Sequence, residues 1–494
     1  MLTLALVAAL VAAPVPQPQP PHTQAQYLPR YPAFDRLYCA DVDGSYCDEY
    51  YIDGPTLQAG EKYPLVIMFH GFGERANEAI SLNGNGWYPG ARAFMDAAKA
   101  WTTGPKPYIV VFHDGGMGSF NPPNLTANTY GAESFMRATE AVLEDVVSKW
   151  PVDRKRMYGY GLSMGGGECV AYAARHQDPT SKTMLSAVVD HSGTVSTTRL
   201  YHLGSGQIQW QNMYGAPPYG SSLAADFLYQ RATALDLPFD GTVTSPLDYV
   251  LKHDFHLAHN LRWLPRMNFH AGPSIDDLKQ MVEPIDAFEA FLADPVLVDA
   301  PDRVPFPPVA NSVHSWNAIA PADILDYFDA RKKADTLTLF STQLPQGSPA
   351  QAEMLMFAED GVRHQCYSVV RQDPTLWGRL HVFLWKPYFS NLNAIVFERE
   401  ADNATDNIAE VTIWFDQHLK WVDWGAGDTV AIAAQGVDLG TIRTEGAGAP
   451  TGVDVWDGSN YVPAAPTDWS HAGTTLELYE DPLTQVQRRW RVHY

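Results

Sequence analysis

Cysteine is scarce in this chain, with only four in 494 residues, and no two of them form a C-x-x-C pair. That spacing is typical of structural zinc sites and dithiol redox motifs, so the sequence supports neither. Cys39 and Cys47 flank the turn-like segment ADVDGSY, and a hairpin there would bring them to disulfide distance. Cys169 and Cys366 lie in apolar patterns and are expected to be buried free thiols.

Basic residues are also in short supply. The sequence has 34 Lys and Arg against 56 Asp and Glu, which gives a formal net charge of −22 at pH 7. Affinity for a phosphate backbone depends on cationic side chains that neutralise the phosphates, so we expect no nucleic-acid partner. Binding to an anionic membrane surface is disfavoured for the same reason.

Long apolar runs are missing beyond the start of the chain. Residues 1–14, MLTLALVAALVAAP, have the length and apolar character of a signal peptide, and the segment VPQPQPPHTQAQ follows them. We therefore expect a signal peptide and a Pro/Gln-rich linker over residues 1–26, and a secreted or periplasmic protein. A buried N-terminal helix is the alternative, because the segment lacks the usual positive charge. No other stretch approaches the ~18 apolar residues of a membrane span, so no membrane insertion is expected after signal removal.

Residues 27–334 have the pattern of an α/β domain. Short apolar runs alternate with longer helical patterns, which is typical of a mostly parallel sheet with helices on both faces. The predicted strands are residues 63–69, 107–112, 156–161, 185–190 and 266–270, and the clearest predicted helix is 134–150. Within this domain, residues 194–265 form an aromatic-rich insertion that is expected to cap the active site, with a remote structural extension as the alternative.

Residues 335–494 form a separate β-rich region, with the boundary expected near Lys333 to Asp335. Strand-like segments such as TLTLFST, CYSVVRQ, RLHVFLW and AEVTIWF recur there between Gly, Asp, Asn and Pro, which predicts an all-β, sandwich-like C-terminal domain. Six of its tryptophans could stack on sugar or polymer, although core packing explains them equally well: Trp377, Trp385, Trp414, Trp421, Trp424 and Trp456.

A nucleophile motif follows the predicted strand 156–161. The segment Gly161-Leu162-Ser163-Met164-Gly165 fits the pattern G-x-S-x-G and precedes a helical pattern. The tight turn places the serine in a strained backbone conformation, and a Cβ at either glycine would collide with the neighbouring strand or helix. We therefore predict that Ser163 is a nucleophile, with a structural Gly-rich turn as the alternative.

The serine needs a base to accept its proton, and the base needs a carboxylate to orient it. His314, in ANSVHSWN, is the best candidate among 16 histidines because it precedes the amphipathic segment PADILDYFDARKK, which would close the sheet. The segment HAGPSIDD offers the acid, in the chain order Ser, Asp, His. Asp276 is the first choice, Asp277 the second, and Asp190, at the end of another predicted strand, the third.

Two backbone N–H groups are needed to stabilise the oxyanion of a tetrahedral intermediate. The amide of Met164, directly after the nucleophile, is one predicted donor. The segment FHGFGE at residues 69–74 supplies the other, the amide of Phe72, although an ordinary Gly turn is the alternative.

Two clusters of potential ligands are not assigned as metal sites. Three histidines in KHDFHLAHN recur every three residues, whereas helical zinc sites use a spacing of four; they are His253, His256 and His259. Three aspartates near the cysteine pair lack a twelve-residue calcium loop with a terminal Glu; they are Asp41, Asp43 and Asp48. We expect no metal.

The segments YPLVIMFHGFGE, VDRKRMYGYGLSMGGG and VHSWN, in this order, resemble the secreted polyhydroxybutyrate depolymerases, feruloyl esterases and prolyl-oligopeptidase-like esterases over roughly residues 60–335. The resemblance implies an α/β-hydrolase fold, no cofactor, and a catalytic triad that maps onto Ser163, Asp276 and His314. It also implies that the Phe72 and Met164 amides are the oxyanion donors. The acid loop reads HAGPSIDD where such enzymes have the compact form HG-x-x-D.

The sequence therefore predicts a secreted serine hydrolase that cleaves carboxylic esters through an acyl-enzyme. The ester substrate could be polymeric, either a polyester or a plant polysaccharide ester. One alternative is a serine peptidase of prolyl-oligopeptidase type, because the same triad attacks amides. The other is a catalytically inactive secreted protein that binds carbohydrate through its β domain.

Overall fold

The chain divides into two units, Met1–Ala33 and Phe34–Tyr494, and the second contains all the elements below. The computed structural model describes residues 31–44, 46–76, 90–115, 130–203, 207–218, 222–235, 237, 256–262, 264–273, 275–276, 278–293, 303–305, 313–333, 350–386, 392–398, 407–415, 429–435, 439–479 and 488–494. The predicted signal peptide at residues 1–26 lies outside them. In the described ranges, no helix is long and apolar enough to cross a membrane.

A mixed eight-stranded sheet with the order β1-β2-β4-β3-β5-β6-β7-β8 carries the N-terminal part of this unit. Its six strands from β3 to β8 run parallel, and the antiparallel hairpin of β1 and β2 adds to one edge through β4. The strands are β1 (Arg36–Val42), β2 (Tyr46–Asp53), β3 (Tyr63–Phe69), β4 (Ile109–His113), β5 (Val152–Leu162), β6 (Ala187–His191), β7 (Arg266–Phe269) and β8 (Arg303–Pro305). The expected mostly parallel sheet is present.

Eight α-helices accompany this sheet within the described residues: α1 (Ala91–Lys99), α2 (Glu133–Lys149), α3 (Met164–Arg175), α4 (Thr197–His202), α5 (Gln207–Tyr214), α6 (Leu223–Arg231), α7 (Glu283–Ala293) and α8 (Pro321–Asp329). Successive residues of β3 point to opposite faces of the sheet, as in any strand. Met68 belongs to a core with Phe94 of α1 and Phe328 of α8. Phe69 instead packs on Phe135 of α2 and Tyr172 of α3. Helices therefore cover both faces, and this explains why β3 is buried along its whole length.

The insertion between β6 and β7 contains α4, α5 and α6, which share a small aromatic core. Ser196 and Ser222 cap α4 and α6 by accepting a backbone N–H from the first turn. Trp210, Tyr214 and Tyr229 are buried between these helices. The described part of the expected insertion at residues 194–265 is thus largely helical.

The C-terminal part consists of two sheets with a common core. Their strand orders are β10-β11-β14-β16-β20-β19 and β18-β17-β21-β15-β13-β12-β9. Apolar residues of both sheets, such as Ile413 and Ile432, lie in one buried cluster, so the sheets form a sandwich. The strands are β9 (Ala350–Ala358), β10 (Arg363–His364), β11 (Tyr367–Arg371), β12 (Gly378–Lys386), β13 (Leu392–Glu398), β14 (Ile408–Trp414), β15 (Thr429–Gln435), β16 (Thr441–Glu445), β17 (Gly452–Trp456), β18 (Tyr461–Pro463), β19 (Trp469–Ala472), β20 (Thr475–Tyr479) and β21 (Arg489–His493).

Buried polar contacts join the sandwich to the α/β part. The Asn260 side-chain amide donates to the carbonyls of Ala174 and Phe357 at 3.0 and 2.8 Å, and its oxygen accepts the Phe357 N–H at 2.9 Å. Glu359 accepts from Arg175 of α3 at 2.8 Å and pairs with Arg231 of α6 at 2.6 Å. One carboxylate of the sandwich therefore holds the C-terminal ends of two helices.

The structure describes all four cysteines and the side chains of three of the six tryptophans named above. A disulfide joins Cys39 and Cys47 across the β1–β2 hairpin, with 5.6 Å between their Cα atoms, and the other two cysteines are buried free thiols. Trp377 is a core residue in contact with Phe227 of α6, rather than part of a stacking platform. Trp414 and Trp456 are partly exposed. The side chains of Trp385, Trp421 and Trp424 lie outside the described part of the chain.

Candidate active site

Ser163 occupies a sharp turn between β5 and α3. Its φ of 57° and ψ of −121° are values that non-glycine residues rarely adopt. The Ser163 N–H donates to the His191 carbonyl at 2.8 Å, and the Ser163 carbonyl accepts the N–H groups of Gly166 and Thr194 at 3.0 and 3.3 Å. These bonds hold the strained turn, which is the arrangement of a nucleophile elbow.

The glycines on either side of Ser163 are required by close backbone approach. A Cβ on Gly161 would overlap the Gly165 carbonyl, and a Cβ on Gly165 would overlap the Phe69 carbonyl at the end of β3. The chain therefore turns from β5 into α3 within a space that admits backbone only. The two glycines of the G-x-S-x-G pattern have the steric role expected for them.

Ser163 is less accessible than the elbow pattern alone predicts. Only 4% of its surface is exposed, because the turn packs closely against the end of β6. An active-site hydroxyl screened from bulk water meets stronger electrostatic interactions than an exposed one.

His314 and Asp276 lie in direct contact. The Nδ1 atom of His314 is 2.7 Å from Oδ1 of Asp276. The other oxygen of Asp276 accepts the Ser192 hydroxyl at 2.5 Å and the Ala271 N–H at 2.6 Å. Burial raises the pKa of Asp276, but the hydrogen bonds from His314, Ser192 and Ala271 outweigh burial, and the net effect is a lowered pKa. Asp276 is therefore a stable anion that orients the imidazole through Nδ1.

His191 connects this pair to the elbow. Its carbonyl accepts the Ser163 N–H, and its ring centroid lies 6.2 Å from that of His314. Burial, together with the nearby His314, lowers the pKa of His191 to about 3. The imidazole beside His314 is consequently neutral at ordinary pH, so it adds no positive charge that would oppose protonation of His314.

Ser192 has a strained backbone and was not identified from the sequence. Its φ is 52°, and its N–H donates to the Phe269 carbonyl at the end of β7 at 2.8 Å. This geometry directs its hydroxyl towards Asp276. One signal points to it in retrospect: it directly follows β6, where the carboxyl ends of parallel strands collect functional side chains.

Of the two alternative acids, only Asp190 lies within the described residues. The Asp190 carboxylate lies beside Gly166 and Gly193, behind the start of α3, and not at His314. Burial raises its pKa to about 8, and the Gly193 N–H offsets this only in part. A buried, mostly protonated carboxyl in that position does not orient the imidazole, so Asp190 is corrected to a packing role. Asp277 lies outside the described residues.

The two predicted oxyanion donors flank the elbow. Met164 is the first residue of α3, so its N–H has no acceptor within the helix. Phe72 lies in the turn from Gly71 to Glu74, which follows β3, and β3 pairs with the elbow strand through Phe69 and Gly161. Among the described residues, neither amide donates to a protein acceptor. Within the described residues, both N–H groups thus meet the first requirement of an oxyanion donor.

The described residues of the two clusters discounted as metal sites contact other parts of the protein. In the parts of the chain that the structure covers, no three His, Cys, Asp or Glu residues are arranged to hold an ion. The rings of His256 and His259 both pack edge-on against Phe291 of α7, while His253 lies outside those parts. Near the disulfide, Asp41 accepts the Gly44 N–H and Asp43 pairs with Arg137.

No protein-family model matches the chain, and no curated protein sequence does. Comparison with solved structures returns an S-formylglutathione hydrolase from Agrobacterium tumefaciens, at 13% identity and a TM-score of 0.39, over 60% of this chain and 94% of that one. It also returns a ferulic acid esterase, at 16% identity and a TM-score of 0.36, over 60% of this chain and 96% of that one. A Pyrococcus horikoshii acylaminoacyl peptidase matches at 13% identity and a TM-score of 0.38, over 60% of this chain. The match spans only 41% of that peptidase and 36% of a Bacteroides ovatus protein assigned as a dipeptidyl aminopeptidase IV. Scores this low do not assign an activity to this chain.

Proposed function

We propose that this protein is a serine hydrolase that cleaves carboxylic esters through an acyl-enzyme formed on Ser163. The observation that carries the proposal is the contact between His314 and the buried Asp276. His191 links this pair to the strained serine turn, because its ring lies 6.2 Å from that of His314 and its carbonyl accepts the Ser163 N–H. Ester substrates are supported by the resemblance of the segments around residues 60–335 to known esterase families. Export is part of the proposal, supported by the apolar residues 1–14 and by the disulfide, which is typical of oxidising compartments.

The proposed mechanism follows from which ring nitrogen of His314 is hydrogen-bonded to Asp276. Asp276 binds Nδ1, so the proton of a neutral imidazole resides there and Nε2 is the basic nitrogen. Nε2 removes the Ser163 proton as the hydroxyl oxygen attacks the substrate carbonyl, and the anionic Asp276 stabilises the imidazolium. The proton then passes to the leaving alcohol. Water hydrolyses the acyl-enzyme by the same steps.

The oxyanion of the tetrahedral intermediate would bind to the amides of Phe72 and Met164. Preorganised N–H donors of this kind cost no reorganisation at the moment of reaction, and loss of one donor typically costs ~10²–10³ in rate. Both donors belong to the main chain, so substitution of their side chains should leave the hydrogen bonds in place. The rate should therefore depend on how the two turns position these N–H groups.

The test is hydrolysis of short-chain p-nitrophenyl esters by the purified protein and by Ser163→Ala. We expect turnover by the wild type and loss of at least ~10³-fold in the variant, because the nucleophile is gone while the fold is kept. Equal turnover by both proteins would refute the assignment of Ser163. A parallel panel of fluorogenic peptides, feruloyl esters, acetylated xylan and polyester identifies the substrate class.

A further inference from the structure

We propose that Glu74 is a positioning residue that couples the oxyanion turn to the histidine loop. The inference rests on the proposed function and deepens it, because it assigns a role to a residue that is not a member of the triad. Glu74 is the last residue of the turn after β3, and its side chain is nearly buried, with 3% of the residue exposed. Its carboxylate contacts two segments that are far apart in sequence.

The first contact is within the oxyanion turn. The Gly71 N–H donates to Oε2 of Glu74 at 2.8 Å, and the Glu74 N–H donates to the Gly71 carbonyl at 3.2 Å. Gly73, at the third position of this turn, has a φ of 82°, a value that favours glycine. The reciprocal bonds close the turn, and Phe72 lies at its second position. Glu74 therefore helps to fix the direction of the Phe72 amide.

The second contact is with the loop that carries His314. The indole N–H of Trp316 donates to both carboxylate oxygens of Glu74, at 3.3 and 3.2 Å. Trp316 is 1% exposed and packs edge-on against Tyr160 of β5 at 4.9 Å between ring centroids. It is thus a fixed point rather than a mobile side chain.

The connection from Trp316 to His314 is short and tightly turned. The Ser315 N–H donates to the Val313 carbonyl at 2.9 Å, which makes a three-residue turn centred on His314. A displacement of Trp316 therefore moves the imidazole. Because one carboxylate holds both loops, the Phe72 donor and the His314 base keep a constant separation. Displacement of catalytic groups by ~1 Å typically costs ~10²-fold in rate.

The experiment compares Glu74→Gln, Trp316→Phe and the double variant in p-nitrophenyl ester hydrolysis. Glu74→Gln replaces one acceptor oxygen with an NH2 donor that faces N–H donors, and Trp316→Phe removes the indole donor while keeping an aromatic ring. We expect kcat to fall at least ~10-fold in each single variant, with KM changed less than ~2-fold. The double variant should lose no more than Glu74→Gln, because both changes break the same bond.

Trp101→Phe is the matched control. The Trp101 indole also donates to a carboxylate, Oδ2 of Asp329 at 2.7 Å, but at the C-terminal ends of α1 and α8. This variant should keep kcat within ~2-fold of the wild type. Thermal unfolding of every variant reports whether it is folded, and the rate of fluorophosphonate labelling reports the chemistry of Ser163 separately from turnover.

Three results would overturn the inference. Folded Glu74→Gln or Trp316→Phe protein with kcat within ~2-fold of the wild type would show that the contact does not position the site. Losses that multiply in the double variant would show that the two residues act independently. If the wild type itself neither hydrolysed esters nor reacted with fluorophosphonate, the proposed function would fail together with this inference.

Discussion

At the scale of single residues, the charge of Asp276 is the property on which the proposed chemistry depends. The carboxylate is buried, and burial alone would favour its protonated form. Hydrogen bonds from His314, Ser192 and the Ala271 amide reverse that preference. Ser192, which donates to Asp276, itself has a strained backbone with positive φ. A residue with a strained backbone thus supports the ionisation of another.

Ser192→Ala tests this relation. Removal of the hydroxyl takes away a hydrogen bond to a charged group, which is worth about 1.5–3 kcal/mol and corresponds to roughly 10- to 100-fold. We expect kcat for p-nitrophenyl esters to fall by about tenfold with little change in KM, because the anion that stabilises the imidazolium becomes less stable. Ser181→Ala is a suitable control, because this serine lies in the loop before β6 and its hydroxyl contacts Thr183. An unchanged kcat in folded Ser192→Ala would show that the other two donors suffice.

The sequence predicted the residues of the site that belong to local patterns. Ser163 lies in a five-residue motif, and Asp276 follows a strand in the acid loop, so neighbouring residues identify them. Ser192 and Glu74 have no comparable local pattern, because their partners are 84 and 242 residues away in the chain. Contacts of that kind depend on which strand ends the sheet brings together.

At the scale of elements, α3 starts against the end of β6 and leaves room for one buried carboxyl. Asp190 fills that space, and a Cβ on Gly166 or on Gly193 would overlap it. Burial raises the pKa of Asp190 to about 8, from an ordinary value of 3.8. The carboxyl beside the start of α3 is therefore mostly protonated at pH 7.

Asp190→Asn should change how the free energy of unfolding depends on pH. Between about pH 4 and pH 8 the folded protein holds a proton on Asp190 that the unfolded chain releases, so this group makes stability fall as pH rises. One such proton contributes a slope of up to about 1.4 kcal/mol per pH unit. Urea unfolding at pH 5, 6 and 7 should give a steeper decline for the wild type than for Asp190→Asn. Parallel declines would mean that Asp190 is ionised in the folded state.

The sequence also predicted elements where the pattern was continuous. The prediction for residues 63–69 coincides with β3, and that for 134–150 matches α2 (Glu133–Lys149) to within one residue. β5 begins at Val152, earlier than predicted, and the apolar pattern missed its first residues because residues 153–156 are polar and partly exposed. β9 was not predicted, although it pairs along its whole length with β12. The predicted strand TLTLFST lies outside the described residues.

At the scale of the whole described unit, the sandwich and the α/β part share a charged cluster. Glu359 of the sandwich and Glu133 of α2 each pair with Arg175 and Arg231. The exposed fractions of the Arg175, Arg231 and Glu359 side chains are 8%, 16% and 10%. Pairs this well buried are costly to break on one side, because the remaining charges lose both water and partner. We infer that the sandwich supports α3 and α6 directly.

Glu359→Ala should therefore destabilise the protein by about 3 kcal/mol, since it leaves two guanidinium groups with one carboxylate between them. Urea unfolding at pH 7 measures the change. Glu61→Ala is a matched control, because Glu61 pairs with Lys106 while its side chain is 47% exposed, and exposed pairs contribute little. A loss of stability no larger than in the control would indicate that the interface does not depend on this cluster.

Covalent labelling with a fluorophosphonate, followed by peptide mapping, tests directly whether Ser163 is a nucleophile. We expect one stoichiometric adduct on Ser163, formed much more slowly in His314→Ala and absent in Ser163→Ala, because only an activated hydroxyl attacks phosphorus at neutral pH. An unlabelled wild type, or an adduct on another residue, would contradict the assignment of Ser163 as an accessible nucleophile activated by His314.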